Sequence, residues 1–411
     1  MELVKLDKGF KDELLEVWKI AFEEDEGFND ELCGHFFNHE NLWECAYGWI
    51  DNNKLVSTYL TLDVDVLIRN KEFKGHYIDG LATLPSHQRR GLINEQMLKD
   101  AKYCFKNNIP LMLVDPSRDS FYRKFGFEFA IDKHRIVLDK NFCSREDYKP
   151  KYIVKADIIA ENSELQQAYK DMNEWLFKNS SYNEMKWPEC YEDIKFKRRD
   201  MTIAVAFGKS NKVCGYMLYS REGNNVRITS FRYRDLNAFY GLKEYMLSLD
   251  ENIESFSFLS IPQDFPIDLM LKDLGRPEKK LYFGSWISRM IRIIDFKGFL
   301  EGVIEKAPKS PICIHIKDHI IAENEAFYTI LPCGEVKKES SGKSDVTTTI
   351  TDIVPLLTGL KSARELYYYG KLKVSENESV EQFQPVAEVI KQIDEILPKV
   401  TTYSADEYLA P

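Results

Sequence analysis

The segment from His76 to Val114 constrains the fold most strongly, because it combines four local patterns in one continuous run. Residues 76–84 have the composition of a strand. A polar loop with Gly91 follows, and residues 91–107 then carry apolar side chains at helical spacing. Leu111–Val114 is wholly apolar and is bounded by two prolines, which is typical of a buried central strand. This order of strand, glycine loop, helix and strand predicts a mixed α/β fold.

The rest of the chain shows the same alternation of helical and strand patterns. Helices are predicted at 10–22, 121–126, 163–200, 237–248, 296–305, 353–360, 362–370 and 383–397. Strands are predicted at 44–51, 54–66, from 127 onward, twice within 201–219, and at 225–234, 312–321 and 326–332. The middle third of the chain therefore repeats the strand and helix order of the first third, although it has no second glycine motif.

The length of 411 residues suggests two or three domains, since a domain usually has roughly 150 residues. A composition of 44% hydrophobic and 30% charged residues is near the average for globular proteins and argues against a disordered chain. Dense charge and Pro150 mark one boundary near 139–155, and a second boundary lies near 283–292. We therefore expect domains at 1–150, 151–289 and 290–411.

The overall charge argues against a nucleic acid or membrane partner. The chain has 56 Lys and Arg against 66 Asp and Glu, and its formal net charge of −10 favours a cationic small molecule instead. No run approaches the roughly 18 apolar residues that span a bilayer, and acidic residues near the start stand where a secretion signal is apolar. Eight scattered cysteines without a C-x-x-C pair indicate reduced thiols in a cytoplasmic protein.

Two histidine pairs have the spacing of metal ligands. His35 and His39 share a predicted helix face, and His315 and His319 repeat that spacing in a strand region. Neither pair has a clear further set of ligands in the sequence, and a zinc site needs three or four. We therefore predict no metal site.

The loop before the helix at 91–107 has the residues of an anion site. The first N–H groups of a helix have no backbone partner and carry the positive end of the helix dipole, and Gly91 lets the backbone approach a ligand closely. Arg89 and Arg90 add charge-assisted donors for phosphate oxygens. This loop can hold a pyrophosphate, although a solvated helix start that contains a glycine is the alternative interpretation.

The sequence around this loop resembles a known family. Gln88, Gly91 and Ile93, between a strand that ends in Leu-Pro and a long helix, resemble the acetyl-coenzyme A loop of the GNAT acyltransferases. Residues 81–92 together with 120–127 are more closely similar to the Eis (enhanced intracellular survival) family, which usually has Arg where this chain has Gln88. The resemblance implies two tandem GNAT domains, the second without the cofactor motif, and a C-terminal sterol-carrier-protein-like domain. It also implies a homo-oligomer, since family members form hexamers.

The resemblance further implies which residues bind acetyl-CoA, the acyl donor. The backbone of Leu81 and Thr83 would pair with the pantetheine arm as an added strand does. The strand Leu111–Val114 would splay from the strand that ends at Thr83, and the loop would hold the pyrophosphate. The implied acetyl-CoA contacts are Leu81, Ala82, Thr83, Gln88, Arg89, Arg90, Gly91, Leu92, Ile93 and Ser117.

Two groups are implied to move protons. Tyr122 stands where the family places a general acid, and a phenol with a pKa near 10 can protonate the departing thiolate. A purely structural aromatic cluster is the alternative, and it is the one we expect for Phe121, Phe125 and Phe127. In the Eis family the terminal carboxylate reaches the site, so the carboxylate of Pro411 is the implied base. A disordered terminus is the alternative there.

The acceptor side follows from the link between the first two helices, which walls the acceptor cleft in GNAT folds. Glu24, Asp25 and Glu26 lie in that link and are candidates for holding a polycationic amine, with a solvated helix end as the alternative. We expect the acceptor amine to attack the thioester directly, without a covalent enzyme intermediate.

These observations together predict an acetyl-CoA-dependent N-acetyltransferase. It would act on primary amines of a cationic small-molecule or peptidyl acceptor that resembles an aminoglycoside, a polyamine or lysine. The competing hypothesis is a non-catalytic lipid or small-molecule binding protein, in which the C-terminal domain binds the ligand and the GNAT loop is vestigial.

Overall fold

The structure is a computed structural model that describes residues 1–22, 33, 36–143, 151–271, 281–374 and 386–403. Helices and strands alternate along the whole chain, which confirms the predicted mixed α/β class. The strands form two sheets in the described residues. Thirteen strands make one large sheet, and four strands near the C-terminus make the other.

The N-terminal domain carries the glycine loop. Its elements are β1 (Glu2–Lys5), α1 (Lys11–Phe22), α2 (Glu40–Glu44), β2 (Ala46–Asp51), β3 (Lys54–Ile68), β4 (Lys71–Thr83), α3 (Leu92–Lys106), β5 (Leu111–Val114), α4 (Asp119–Arg123) and β6 (Glu128–Asp139). Asn52 and Asn53 turn the hairpin between β2 and β3 with φ of 50° and 61°, the left-handed conformation that a two-residue hairpin loop requires. Strand β5 is wholly buried and has the predicted bounds.

The central domain repeats this order. Its elements are β7 (Ile153–Ile158), α5 (Ser163–Asn179), β8 (Glu184–Lys186), α6 (Glu189–Lys195), β9 (Thr202–Phe207), β10 (Val213–Glu222), β11 (Asn225–Tyr233), α7 (Leu236–Ser248), β12 (Ser255–Ile261) and β13 (Leu281–Ile293). The prediction of continuous helical structure at 163–200 was wrong. Helix α5 ends before Ser180, because serine and asparagine there are poor helix formers, and β8 pairs with β3 of the N-terminal domain.

The N-terminal and central domains share one sheet. Strand β13 of the central domain lies between β5 and β6 of the N-terminal domain, and it is antiparallel to both. On its other side, β6 pairs with β12 of the central domain. The predicted boundary between 289 and 290 therefore falls inside a continuous strand, and each of the two domains contains a strand from the other.

The C-terminal domain packs a small sheet against short helices. Its elements are α8 (Phe296–Val303), β14 (Ile312–Lys317), β15 (Ala326–Ile330), β16 (Val336–Glu339), β17 (Val346–Thr349), α9 (Ile350–Leu357), α10 (Ala363–Tyr368) and α11 (Glu388–Ile396). The strand order is β16-β15-β14-β17. Arg69 ties this domain to the N-terminal hairpin, because its buried guanidinium donates to the carbonyls of Leu357 at 2.9 Å and Pro398 at 2.6 Å.

Candidate active site

A gap opens between β4 and β5 of the N-terminal domain. The two parallel strands pair from Gly75 and Leu111 as far as Ile78 and Val114. Strand β5 ends there, whereas β4 continues to Thr83. The last residues of β4 therefore pair with β3 on one side only within the described chain, and their other side faces the gap.

A bulge at Gly80 bends β4 where the gap begins. The register with β3 shifts there, and Gly80 has φ of 57°. Thr58 donates from its hydroxyl to the Gly80 carbonyl at 2.7 Å and accepts from the Trp18 indole N–H at 3.1 Å. A Cβ on residue 80 would lie 2.4 Å from the Trp18 ring. The bulge thus needs glycine both for its conformation and for the close approach of Trp18.

Leu81, Ala82 and Thr83 form the wall of the gap after the bulge. Leu81 and Thr83 are half-buried and Ala82 is buried. The Ser57 hydroxyl on β3 donates to the Ala82 carbonyl at 2.9 Å and lies 2.8 Å from the Thr83 hydroxyl, which holds this end of β4 against β3. The backbone on the opposite side is where an extended ligand could add as a strand.

The loop after β4 leads into a helix start without a side-chain cap. Gly91 precedes α3 with φ of 81°, and within the described residues no side-chain cap binds the start of this helix. A Cβ on Gly91 would meet nothing within 4 Å, so the space in front of the helix is open. This arrangement suits an anion, because unpaired N–H groups and the helix dipole point into free space.

The other loop residues surround this opening. Gln88, Arg89 and Arg90 are exposed, and Gln88 donates to the Thr83 carbonyl at 3.3 Å while Arg90 donates to the Ser86 carbonyl at 3.0 Å. His87 lies 3.0 Å from the Asp51 carboxylate, which ties the loop to the β2–β3 hairpin. Both predicted arginines are therefore available to a ligand that reaches the helix start.

Three further predicted residues lie beside these features. Leu92 is buried, and half-buried Ile93 packs against the hydrophobic core under α3. Ser117 is exposed in the segment between β5 and α4. The ten predicted acetyl-CoA contacts thus lie in three places: the end of β4, the loop that leads into α3, and the segment after β5.

Tyr122 lies on α4 within an aromatic cluster. Its ring meets Phe121 and Phe127 edge-on, with centroid distances of 5.1 and 6.1 Å. Phe125 and Phe127 are buried, as predicted for core residues, and Phe121 is half-buried. Burial raises the pKa of Tyr122 well above its usual value, and the nearby carboxylate of Asp79 raises it further. The phenol therefore stays protonated at neutral pH.

Asp79 is a site residue that the sequence analysis did not assign. It immediately precedes the bulge, and its carboxylate accepts hydrogen bonds from the Gly80 N–H at 2.7 Å and from the hydroxyl of Tyr191. Tyr191 comes from α6 of the central domain. The available signal in the sequence was an acidic residue beside a glycine, between the apolar residues Ile78 and Leu81.

Aromatic side chains from both domains pack around Tyr191, the partner of Asp79. Tyr191 meets Phe36 edge-on at 5.0 Å and lies 5.2 Å from Trp187. Trp187 in turn meets Tyr77 edge-on at 5.3 Å. Phe36, Tyr77 and Tyr191 are buried, whereas Trp187 is half-buried. Of these four rings, that of Trp187 is therefore the one that an organic cation could contact.

An ion pair between the two domains lies at the end of β5. Asp115 follows β5, and Arg289 of β13 binds it in a bidentate manner, with N–O distances of 3.0 and 2.9 Å. Arg289 has a left-handed backbone with φ of 41° and also lies over the Trp187 ring. Burial acts to raise the pKa of Asp115, but Arg289 and Lys133 hold it below its usual value. The shared sheet therefore brings a central-domain cation to the N-terminal site.

Several predicted residues lie outside the described residues. These are Glu24, Asp25 and Glu26 of the acceptor link, the terminal residue Pro411, and His35 of the first histidine pair. Across the described ranges no group of three metal-ligating side chains occurs, and all eight cysteines are free thiols. None of the helices within these ranges is long and apolar enough to cross a membrane.

Family comparisons identify the domains. A profile of the acetyltransferase (GNAT) domain matches residues 2–130, a second acetyltransferase (GNAT) domain profile matches 181–293, and a sterol carrier protein domain profile matches 296–403. Among proteins of curated function, none matches the chain.

Solved structures share the whole architecture. A conserved protein from Enterococcus faecalis, described as a probable N-acyltransferase, matches with a TM-score of 0.81 and 18% identity over 98% of both chains. A GCN5-related N-acetyltransferase from Anabaena variabilis matches with a TM-score of 0.78 and 14% identity over 98% of this chain and 99% of its own. Eis1 from Mycobacterium abscessus matches with a TM-score of 0.76 and 13% identity over the same shares. The chain thus combines two tandem GNAT acetyltransferase domains with a C-terminal sterol-carrier-like domain, and it is an acyltransferase.

Proposed function

We propose that the N-terminal domain transfers an acetyl group from acetyl-CoA to a primary amine of a cationic acceptor. The observation that carries this proposal is the gap between β4 and β5, with an uncapped helix start after β4 and Tyr122 on the helix after β5. An extended thioester with a pyrophosphate has the shape and charge to fit such a gap.

Acetyl-CoA would bind through both main-chain and side-chain groups. The free side of β4 at Leu81 and Thr83 is suited to the amide groups of pantetheine. The N–H groups after Gly91 and the guanidinium groups of Arg89 and Arg90 are suited to the pyrophosphate. Gln88 can add a neutral donor from its amide.

The transfer would proceed by direct attack of the amine on the thioester carbonyl. The amine nitrogen forms the new bond to the acetyl carbon, the tetrahedral intermediate collapses, and the carbon–sulfur bond breaks. Tyr122 would give its proton to the departing sulfur. Because its pKa is raised, the phenol is present as an acid over the whole physiological range.

The attacking ammonium must also lose a proton, and two carboxylates are candidates to take it. The first is the terminal carboxylate of Pro411, which the resemblance to the Eis family implies. The second is Asp79, which lies close enough to Tyr122 to shift its pKa. Either group would also attract a cationic acceptor.

The acceptor would be a polyamine-like, aminoglycoside-like or lysine-like amine. The half-buried ring of Trp187 and the half-buried carboxylate of Asp79 support this class. The acidic residues Glu24, Asp25 and Glu26 would extend the same surface. The eight free cysteines fit a reducing compartment, and we place the enzyme in the cytoplasm as a homo-oligomer, which light scattering would test.

The test is thiol release from acetyl-CoA across a panel of aminoglycosides, polyamines and lysine peptides. Arg89→Ala should weaken acetyl-CoA binding, since it removes a phosphate donor. Arg199→Ala is the matched control, because Arg199 is an exposed arginine of the central domain. Amine-dependent release that Arg89→Ala reduces and Arg199→Ala retains is the expected result. Absence of acetyl-CoA binding, with saturable lipid binding instead, would contradict the proposal.

A further inference from the structure

The central domain has its own gap between parallel strands. Strands β11 and β12 pair from Asn225 and Ser255 as far as Ile228 and Phe258. They then separate, and β11 continues to Tyr233 beyond a register shift with β10. The gap between β4 and β5 in the N-terminal domain has the same arrangement: four parallel residue pairs, then a bulge, then separation of the two strands.

The helix after this second gap does not present an anion site. Only Arg234 and Asp235 separate β11 from α7, and the Asp235 carboxylate caps the helix by accepting from the Ala238 N–H at 3.0 Å. In the N-terminal domain Gly91 leaves the equivalent groups free. A carboxylate at the helix start both satisfies an N–H group and repels phosphate, so this gap is unsuited to a CoA pyrophosphate.

The second gap is occupied by Tyr403 from the end of the described chain. Its hydroxyl donates to the carbonyl of Ser260 on β12, beyond the last paired residue, at 3.1 Å. Its ring lies under the guanidinium of Arg232 on β11, 5.1 Å from centre to centre, and meets Tyr182 edge-on at 5.6 Å. Tyr403 is only 1% exposed, so it contacts both separated strands and fills the space between them.

The cation above Tyr403 is held in place by an ion pair. Arg232 and Glu184 are both buried, and the Arg232 guanidinium donates to the Glu184 carboxylate. Glu184 begins β8, which pairs with β3 of the N-terminal domain. The ring of Tyr403 therefore packs against a guanidinium that is fixed by residues of both GNAT domains.

Neighbouring residues continue the attachment. The Thr402 hydroxyl accepts from the Asp132 N–H of β6 at 3.1 Å, and the Val400 N–H donates to the Gly359 carbonyl at 3.0 Å. The segment thus runs from the C-terminal domain, across the shared sheet, into the second gap.

We propose that the gap of the central GNAT domain is a binding site for the chain's own segment 400–403, with Tyr403 as its anchor. The gap that binds the acyl donor in the N-terminal domain therefore has a counterpart in the central domain that binds the side chain of Tyr403. The occupant enters along the separated strands and contacts them through its ring and hydroxyl.

The anchor has a consequence for catalysis that rests on the proposed function. Residues 404–411 follow Tyr403, and eight extended residues span at most about 28 Å. Fixing Tyr403 at the shared sheet limits how far the Pro411 carboxylate can lie from that point. Tyr403 is then a positioning residue for the proposed base.

Limited trypsin digestion of the full-length protein tests the anchor without measuring activity. Lys399 is exposed, and residues 400–411 contain no Lys or Arg, so cleavage after Lys399 releases one defined peptide that mass spectrometry can quantify. Tyr403→Ala should accelerate this release at least about tenfold, since it removes a fully buried aromatic side chain. Tyr403→Phe, which loses only the bond to Ser260, should have a smaller effect. Tyr103→Ala, at a half-exposed tyrosine on α3, is the control.

The outcomes separate the anchor from the proposed function. Release rates that are equal in wild type and Tyr403→Ala, with equal melting temperatures, would overturn the anchor. Faster release together with a lower kcat and an unchanged KM for acetyl-CoA would support both the anchor and its positioning role. Faster release with unchanged kcat would support the anchor and would refute a role of residues 404–411 in acetyl transfer.

Discussion

Replacing Tyr122 by phenylalanine is the sharpest test of the proposed chemistry. The substitution removes one hydroxyl and keeps the ring that packs against Phe121 and Phe127. No described residue hydrogen-bonds to this hydroxyl, so its loss leaves no protein donor or acceptor without a partner within that part of the chain. We therefore expect the free energy of unfolding to change by less than about 0.5 kcal/mol.

The effect on turnover should be much larger. A positioned general acid contributes roughly 10²- to 10⁴-fold to a rate, and we expect Tyr122→Phe to lower kcat by at least about a hundredfold. Acetyl-CoA should bind as tightly as before, because the groups around Gly91 that face the pyrophosphate are unchanged. Since the pKa of Tyr122 is raised, wild-type activity should not fall through ionisation of this phenol below about pH 10.

The assay is thiol release at saturating amine, together with the dissociation constant of acetyl-CoA from calorimetry and a thermal melt. Tyr369→Phe is the matched control, because Tyr369 is 60% exposed in the C-terminal domain. A Tyr122→Phe enzyme that turns over within threefold of wild type would refute the assignment of the acid. A loss of acetyl-CoA binding would instead show that the hydroxyl acts in donor binding.

Three further substitutions have defined outcomes. Gly91→Ala places a side chain on a residue with left-handed backbone, which costs about 1–2 kcal/mol. The substitution should weaken acetyl-CoA binding, measured by calorimetry. An unchanged affinity would contradict the anion site at the start of α3. Asp318→Asn leaves the buried guanidinium of Arg292 without its counter-charge, and it should lower the free energy of unfolding, measured with denaturant, by about 3–5 kcal/mol. A decrease of less than about 1 kcal/mol would contradict the stabilising role of this ion pair. Burial raises the pKa of Asp100, so ionisation of this carboxyl destabilises the folded protein as the pH rises through its raised pKa. Asp100→Asn should therefore raise the melting temperature at pH 8 but not at pH 4. Equal shifts in melting temperature at the two pH values would show that ionisation of Asp100 is not responsible.

Local sequence patterns were sufficient for most of the individual elements. Leu111–Val114 became a strand at its predicted bounds, because a short apolar run between prolines can be buried on both faces in only a few ways. The helix predicted at 91–107 is observed as Leu92–Lys106 for a similar reason, since its apolar positions recur at helical spacing. The error at 163–200 arose because β8 has three residues, too few for a period to be recognised.

The candidate site divides in the same way. Nine of the ten predicted acetyl-CoA contacts lie within residues 81–93, so a local motif was enough to suggest them. Asp79 was missed because its environment depends on Tyr191, 112 positions away. The Asp115–Arg289 pair was missed for the same reason, since its partners are 174 positions apart.

The amino-acid sequence by itself determined the local conformations, the glycine loop and the chemistry that the loop can offer, because each depends on neighbours along the chain. Only the tertiary structure decided that β13 completes the N-terminal sheet, that central-domain side chains reach Asp79 and Asp115, and that Tyr403 fills the second gap. Strand exchange and burial depend on contacts between residues that are far apart in sequence. Such contacts form only when the whole chain folds, and a local pattern carries no information about which distant partner satisfies them.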